Sequence, residues 1–491
     1  MHVPADLDVL IVGAGLSGIA AAVYLTKRCP GKRYRILESR DNPGGTWDLF
    51  RYPGVRSDSD MFTLGFSFKP WTGAGAIADG ATILEYLKQT VAEHGIAQHI
   101  RCNHRVVSAS WSSQRASWQV EVETGTAGAA VRLECRFLWL CAGYYDYAGG
   151  YTPVLSGREE FAGDIVHPQH WPSALAYAGK RVVVIGSGAT AVTLVPALAR
   201  SAAQVTMLQR SPSYVISMPV EDRVQTLLRR MLPAAVAFRA IRWRNILFGI
   251  YFYRRCKSQP ERVRNWIQRQ IRLALGESYD VATHFAPRYK PWDQRMCIVP
   301  DGDLFAAIKS GRAQIVTDEI ERLTADGIRL RGGGELGADI IVTATGLNVV
   351  PLGGITLQVD GRRVRLPSTL TYKGAMFSDI PNLAAIIGYT NAAWTLKCEM
   401  VCGFVCRVLN YMDRAGHAIC VPSNDDASVQ EEPWLDLTSG YVQRVSDQLP
   451  RQGSKRPWRL EQNYLRDRLW LRRNRLDDGI MRFSAAGTRP P

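Results

Sequence analysis

The ten cysteines of this 491-residue chain include no CxxC pair, which removes the usual redox-active disulfide from consideration. Cys398, Cys402 and Cys406 recur every four residues and so share one helix face. Reduced core thiols fit them better than a metal, because no His or Cys nearby completes a ligand set. We therefore expect no metal, and thiols that stay reduced fit a cytoplasmic compartment. No stretch approaches the ~20 uninterrupted apolar residues of a spanning helix, and Met1–Asp8 lacks the basic start of a secretory signal. Acid is locally scarce: from Arg223 to Arg272, thirteen Lys or Arg accompany the single acid Glu261, and this window holds most of the net charge of +15. An excess so confined describes one surface and argues against nucleic acid as a partner.

The remaining composition, 46% hydrophobic and 21% charged, is that of a globular protein. The length points to roughly three domains. Asp8–Val12 reads as a buried strand, Gly13-Ala14-Gly15-Leu16-Ser17-Gly18 as a turn, Ile19–Lys27 as an Ala-rich helix, and Tyr34–Glu38 as a second strand ending in a carboxylate. The same grammar returns at Arg181–Ile185, Gly186-Ser187-Gly188-Ala189-Thr190-Ala191 and Gln204–Arg210. Between the two copies, Ile83–Val91 has helical spacing and Trp118–Val122 alternates like a strand. Phe137–Cys141 and Asp339–Thr343 are apolar strands that run into glycines, Ala142-Gly143 and Ala344-Thr345-Gly346.

The expected fold is α/β with two dinucleotide-binding, Rossmann-like domains. The second, over 151–331, is inserted in a discontinuous first domain formed by 1–150 and 332–491. A basic helical insertion is expected at about 221–285, and a disordered tail at Ala486–Pro491.

A glycine turn binds a pyrophosphate when it lies between a strand and a helix, so that amide N–H groups and the helix dipole face the anion. Both turns satisfy this. Glu38 stands twenty-five positions after Gly13, where a carboxylate accepts from a ribose 2′-OH and repels a 2′-phosphate; this favours FAD or NAD on the first unit. At the equivalent place the second unit has Gln209-Arg210-Ser211, and a guanidinium there suits the 2′-phosphate of NADP. Ala191 replaces the third glycine, where a methyl is tolerated, and Pro196 should kink the following helix or sit where no amide is needed.

Further motifs carry a resemblance. Phe161-Ala-Gly163-Asp-Ile-Val-His167-Pro-Gln-His170-Trp171-Pro172 is similar to the FxGxxxHxxxW(P) pattern of the Baeyer–Villiger type of class B flavoprotein monooxygenases. Gly44–Asp58 resembles that family's flavin-lining segment, and Pro291–Cys297 its arginine loop, although Gln294 stands where most members have lysine. Tyr144-Tyr145, Gly388–Asn391 and Trp394–Lys397 are similar to the subgroup of the ethionamide-activating monooxygenase.

The resemblance implies FAD and NADPH as cofactors, and Arg295 and Asp58 as catalytic residues. It implies cofactor contacts at Gly13, Gly15, Ser17, Gly18 and Glu38, then at Gly45, Thr46, Trp47, Tyr52 and Asp58. Further contacts are implied at His167, Trp171, Gly186–Ala191, Arg210, Ser211, Thr345, Gly346 and Asn391. The implied reaction uses O2 through a C4a-peroxyflavin. A lipophilic ketone becomes an ester or lactone, and sulfides or thioamides are S-oxygenated. Arg295 would stabilise the anions, and Asp58 would hold Arg295 by a hydrogen bond. With lysine missing at 294, more of the NADP phosphate contact would fall on Arg210.

Three rivals stand beside this reading: an enzyme oxidising only nitrogen or sulfur, a flavin disulfide reductase (disfavoured by the missing cysteine pair), and a non-catalytic NADPH-binding protein. Met231–Tyr253 mixes aromatics with Arg239, Arg242 and Arg244. The 223–272 surface could meet the inner face of the cell membrane, or the insertion could pack on its own domain or on a second subunit of a homo-oligomer.

Overall fold

A computed structural model describes residues 6–73, 75–125, 128–435 and 437–487. The expected tail lies almost wholly outside the described residues, as do the first five residues of the start expected to carry no secretory signal.

Leu7–Val12 is an interior strand of the first sheet: Val9, Leu10 and Ile11 are fully buried, as a parallel strand covered on both faces must be. It pairs in parallel with Tyr34–Leu37 on one side and with the second half of Ala129–Leu140 on the other. That long strand takes Leu383–Ala385 in parallel at its end. Its first half pairs antiparallel with Ser117–Thr124, which pairs with His104–Ser112. The expected helix at 83–91 lies within Gly80–Glu93.

Helix Leu16–Arg28 covers one face of this sheet and packs on Trp394–Ala415. Cys398, Cys402 and Cys406 of that second helix are buried core thiols.

The second sheet is wholly parallel, in the order Ala313–Thr317, Gln204–Gln209, Arg181–Ile185, Ile340–Thr343 and Asp164–Val166. This moves the domain boundary expected near Gly332. Ile340–Thr343 pairs with Arg181–Ile185, so the chain stays in the second domain until Thr343. An apolar strand running into a glycine has the same pattern in either sheet, and only pairing assigns it. The return is made by Leu347–Val349, antiparallel to the outgoing Tyr145–Gly150, so the two crossings between domains lie side by side.

Helix Ala189–Leu198 runs through Pro196 and ends two residues later, so the missing N–H falls in the last turn. Residues 221–285 form the helices Arg223–Met231, Ala234–Ser258, Pro260–Leu275 and Val281–Phe285. The long second helix leans on the first domain: Phe238, Ile241, Arg242 and Ile246 are buried. Arg242 forms a buried ion pair of 2.8 Å with Glu399 and donates to the carbonyls of Phe62 and Gly65 at 2.8 and 2.7 Å. It thus satisfies backbone groups that a short helix end leaves open.

Candidate active site

Two cavities meet at Asp58 and Arg295. The first, of about 630 Å³, runs along the carboxyl end of the first sheet, where open α/β sheets bind ligands. The turn after Leu7–Val12 forms its floor. A Cβ at Gly13 would lie 2.7 Å from the Cys141 carbonyl oxygen, and one at Gly45 would lie 2.9 Å from Gly15 Cα, so both positions need glycine. Gly15 caps the helix without a side chain, which leaves its first N–H groups open to an anion. Ser17 is fixed by accepting from Trp394 Nε1 at 2.7 Å. Gly18 lies under the floor, where a Cβ would strike the Gly13 carbonyl oxygen.

Glu38 is buried at the far end of this cavity and accepts from the amides of Ala14 and Arg40 at 2.8 and 3.0 Å. Burial pushes its carboxyl up against the pull of those donors. Thr46 and Trp47 line the same cavity, Thr46 within 3.4 Å of the Tyr147 hydroxyl. These features fit an FAD: a helix end for the pyrophosphate, a carboxylate for the adenosine ribose, and a second end lined by Tyr144, Tyr145, Asp58 and Arg295 for the ring.

Arg295 reaches this end from a loop in which Trp292 has φ of +68°, a strained conformation for a bulky residue. The loop is held from two sides. Lys257 of the insertion donates to Asp293 at 3.0 Å, and Asp293 accepts from the Thr438 amide at 2.9 Å. The guanidinium Nη1 lies 3.6 Å from Asp58 Oδ2, Nη2 donates to the Tyr389 carbonyl at 3.4 Å, and Nε has no partner among the described residues. This corrects the expected hydrogen bond: at 3.6 Å Asp58 forms an ion pair only, and the Tyr389 backbone makes the direct contact. Burial opposes the charge of Arg295, but Tyr144, Asp58, Tyr145 and Tyr441 outweigh it and hold its pKa above the ordinary value. It presents a cation with open N–H donors to both cavities. Tyr441 is pushed up to about 12 by burial and by Tyr144.

The second turn has the same construction. A Cβ at Gly186 would lie 2.3 Å from the Ala344 carbonyl oxygen, Gly188 caps Ala189–Leu198 without a side chain, and Ala191 is buried where the helix meets the strand. Thr190 lies in the open first turn. Ser187 donates to the Ser211 carbonyl at 2.9 Å, and Arg210 is exposed at the strand end. Gln209 turns away into bonds with the His284 carbonyl and Thr317. An exposed guanidinium beside an uncapped helix start fits NADP.

Other expected cofactor residues take different places. Tyr52 is buried in the second domain's core. The adjacent Gly54 sits where a Cβ would lie 2.7 Å from Ala197 Cβ, so this end of the segment joins the domains instead of lining the first cavity. His167 and Gly346 meet at the crossing: Nε2 lies 3.1 Å from the Gly346 carbonyl, and Nδ1 accepts from the Gln169 amide at 3.2 Å. The two contacts select one neutral tautomer, and burial lowers the pKa of His167. Thr345 donates to the Tyr151 carbonyl at 2.6 Å. Trp171 packs edge-on to Tyr177 against the second core.

Asn391 donates to the Gln462 carbonyl at 2.9 Å and lines the second cavity, not the first. That cavity, of about 580 Å³, is walled by Phe248, Phe252, Tyr253 and Trp266 of the insertion and by Trp292. Sequence reasoning missed these wall residues, the Tyr389 carbonyl and Tyr441. The aromatic content of Met231–Tyr253 pointed toward Phe248, Phe252 and Tyr253, and the segments Pro291–Cys297 and Gly388–Asn391 contain Trp292 and Tyr389, whereas nothing marked Trp266 or Tyr441.

Two dinucleotide-type domains, each with an uncapped helix start behind a glycine turn, and a cation where the second cavity meets the first define a two-nucleotide redox enzyme. Residues 76–348 match the model of the flavin-binding monooxygenase-like family, and residues 11–72 that of the NAD(P)-binding Rossmann-like domain. The chain is 55% identical over 480 residues to the FAD-containing monooxygenase EthA of Mycobacterium tuberculosis, covering 97% of this chain and 98% of the relative. It is 45% identical over 479 residues to the probable FAD-binding monooxygenase AlmA of Acinetobacter baylyi, covering 97% and 96%. Among solved structures, an oxidised steroid monooxygenase bound to NADP matches with a TM-score of 0.71 at 25% identity, over 85% of this chain and 88% of that one. Cyclohexanone monooxygenase shares the fold with a TM-score of 0.70 at 21% identity, over 85% and 90%. The chain belongs to the flavin-binding monooxygenase-like family and is a flavin-dependent monooxygenase.

Proposed function

We propose that this enzyme uses FAD, NADPH and O2 to insert one oxygen atom into a lipophilic substrate, converting ketones to esters or lactones and oxygenating sulfides or thioamides at sulfur. The observation that carries this is Arg295, a permanent cation standing where the 580 Å³ aromatic cavity meets the dinucleotide cavity. FAD, reduced by NADPH, would supply the activated oxygen. The chain's own task is to place, shield and polarise. Gly13, Gly15 and Glu38 would hold the FAD pyrophosphate and ribose, and Gly186–Ala191, Ser211 and Arg210 the NADP. Arg210 would carry phosphate contacts that Gln294 cannot. Arg295 would lend its N–H donors to negative charge developing on the substrate oxygen, a fixed cation in a site shielded from water. Asp58, as its counter-ion, would keep that charge oriented. Phe248, Phe252 and Trp292 would exclude water and accept an apolar body.

Substrates of this kind partition into lipid, so the enzyme would meet them from the cytoplasm at the inner face of the cell membrane, through residues 223–272. No helix among the described residues is long and apolar enough to cross a membrane.

The test is Arg295→Ala, assayed with a linear ketone and a thioether. The expected outcome is that NADPH oxidation persists while oxygenated product falls roughly 10²–10³-fold, the scale of losing one preorganised charge contact. Undiminished product would overturn the assignment.

A further inference from the structure

Nine of the thirteen large apolar side chains that stand exposed among the described residues lie between Val224 and Leu273. They are arranged with the cations. On Pro260–Leu275 the exposed face carries Arg262, Trp266, Arg269 and Leu273, spaced by four, three and four residues, while Val263, Ile267 and Ile271 are buried. On Ala234–Ser258 the exposed face carries Leu247, Phe248 and Tyr251 among Arg244, Arg254 and Arg255, opposite the buried Ile246 and Cys256. Arg223–Met231 exposes Val224, Leu227 and Met231 beside Arg230.

Asp222, Asp293 and Glu261 pair with Arg244, Lys257 and Arg264, which leaves Arg254, Arg262 and Arg269 without a carboxylate among the described residues. Bulky apolar groups of this number, exposed together, mark an interaction surface. A protein partner's core would exclude so many like charges, whereas an anionic lipid surface takes both: acyl boundary for the apolar tips and headgroup phosphates for the arginines.

The same helices wall the second cavity. Phe248 and Trp266 are exposed on this face and line that cavity, and both pack on Phe252, which lines it from within.

We infer that the three helices Arg223–Met231, Ala234–Ser258 and Pro260–Leu275 form a docking face for an anionic membrane, through which lipid-dissolved substrate enters the cavity sideways between Phe248 and Trp266. The entry route rests on reading that cavity as the substrate site; the docking face does not.

The full-length holoenzyme is sedimented with vesicles of neutral phosphatidylcholine, alone or with 30% phosphatidylglycerol. Binding should require the anionic lipid and weaken at least ~10-fold between 0.05 and 0.5 M salt, as screening predicts. It should fall similarly in Arg262→Glu/Arg269→Glu and in Leu247→Ser/Leu273→Ser, none of which touches the cavity. The same variants should keep full turnover of a small water-soluble ketone and lose turnover of a ketone dissolved in vesicles. Failure of the wild type to bind, equal binding to neutral vesicles, or indifference to the variants would overturn the docking face. So would concentration-dependent self-association that the variants abolish, which would assign the face to a second copy. Vesicle binding together with an unimpaired Arg295→Ala enzyme would keep the docking face and overturn the catalytic reading and the entry route.

Discussion

Glu38 and Arg210 end equivalent strands in the two halves, and their environments differ as much as their charges. Glu38 is buried and already holds two amides, so Glu38→Gln keeps the shape but loses the acceptor strength of a charge. Its expected effect is easier loss of FAD, read as a lower 450 nm absorbance after gel filtration. Arg210 is exposed, so its contact with a phosphate is weakened by solvent. We expect Arg210→Ala to raise KM for NADPH about 10-fold, equivalent to ~1.4 kcal/mol, and to leave KM for NADH unchanged; a parallel change in both would remove the assignment.

His167 gives a pH prediction with a definite sign. Its pKa lies below the ordinary 6.5, first because of burial, so folding favours the neutral ring. The stability it contributes is complete above 6.5 and is lost as pH falls through the lower folded value. Protonation would also put a proton on Nδ1, the atom that accepts from the Gln169 amide. Thermal unfolding between pH 7.5 and 5 should show a steeper acid loss in the wild type than in His167→Asn, whose amide oxygen accepts but does not titrate. Equal slopes would mean that His167 does not set the acid limb.

At the scale of elements, both glycine turns were legible because their chemistry is local: strand, turn and helix follow one another within twenty residues and need no distant partner. The insertion was legible as helical and basic, but not in which arginines it buries. Arg239, Arg242 and Arg244 look alike in sequence, yet only Arg242 faces inward, where a helix end and Glu399, more than 150 residues away, satisfy it. Breaking that pair by Glu399→Gln strands a buried guanidinium and should cost about 3–5 kcal/mol in chemical denaturation. The double change Arg242→Met/Glu399→Leu removes both charges and should recover part of that cost. It should not recover all of it, because the Phe62 and Gly65 carbonyls lose their donor and the Ser67 amide and hydroxyl lose their acceptor, Glu399. Full recovery would show that the carbonyl and Ser67 contacts together contribute nothing.

Over the whole molecule, the proposed catalytic site, drawn from a loop, a backbone carbonyl and an insertion, depends on how the domains are seated, and that seating was the least legible feature. The Gly44–Asp58 segment resembles a flavin-lining motif throughout, but its middle turns to the other domain. Tyr52 enters the second core, and Gly54, at φ of +77°, lies against Ala197 and Thr193 of the helix that starts at the second turn. Nothing in the local pattern distinguishes a glycine that lets a cofactor approach from one that lets a helix approach. Gly54→Ala tests the seating directly. The added Cβ would sit 2.7 Å from Ala197 Cβ and 3.0 Å from the Thr193 carbonyl oxygen, and neither backbone-borne atom can swing aside. Overpacking of this kind costs about 1–3 kcal/mol and should shift the second domain relative to the first. Both turns would remain intact, so FAD content should be unchanged and KM for NADPH little altered. The rate of flavin reduction by bound NADPH, followed by stopped flow at 450 nm, should fall. The further variant Gly54→Ala/Ala197→Gly removes the nearer clash and should restore part of that rate. A reduction rate unchanged by Gly54→Ala would show that the two domains tolerate a displaced seat.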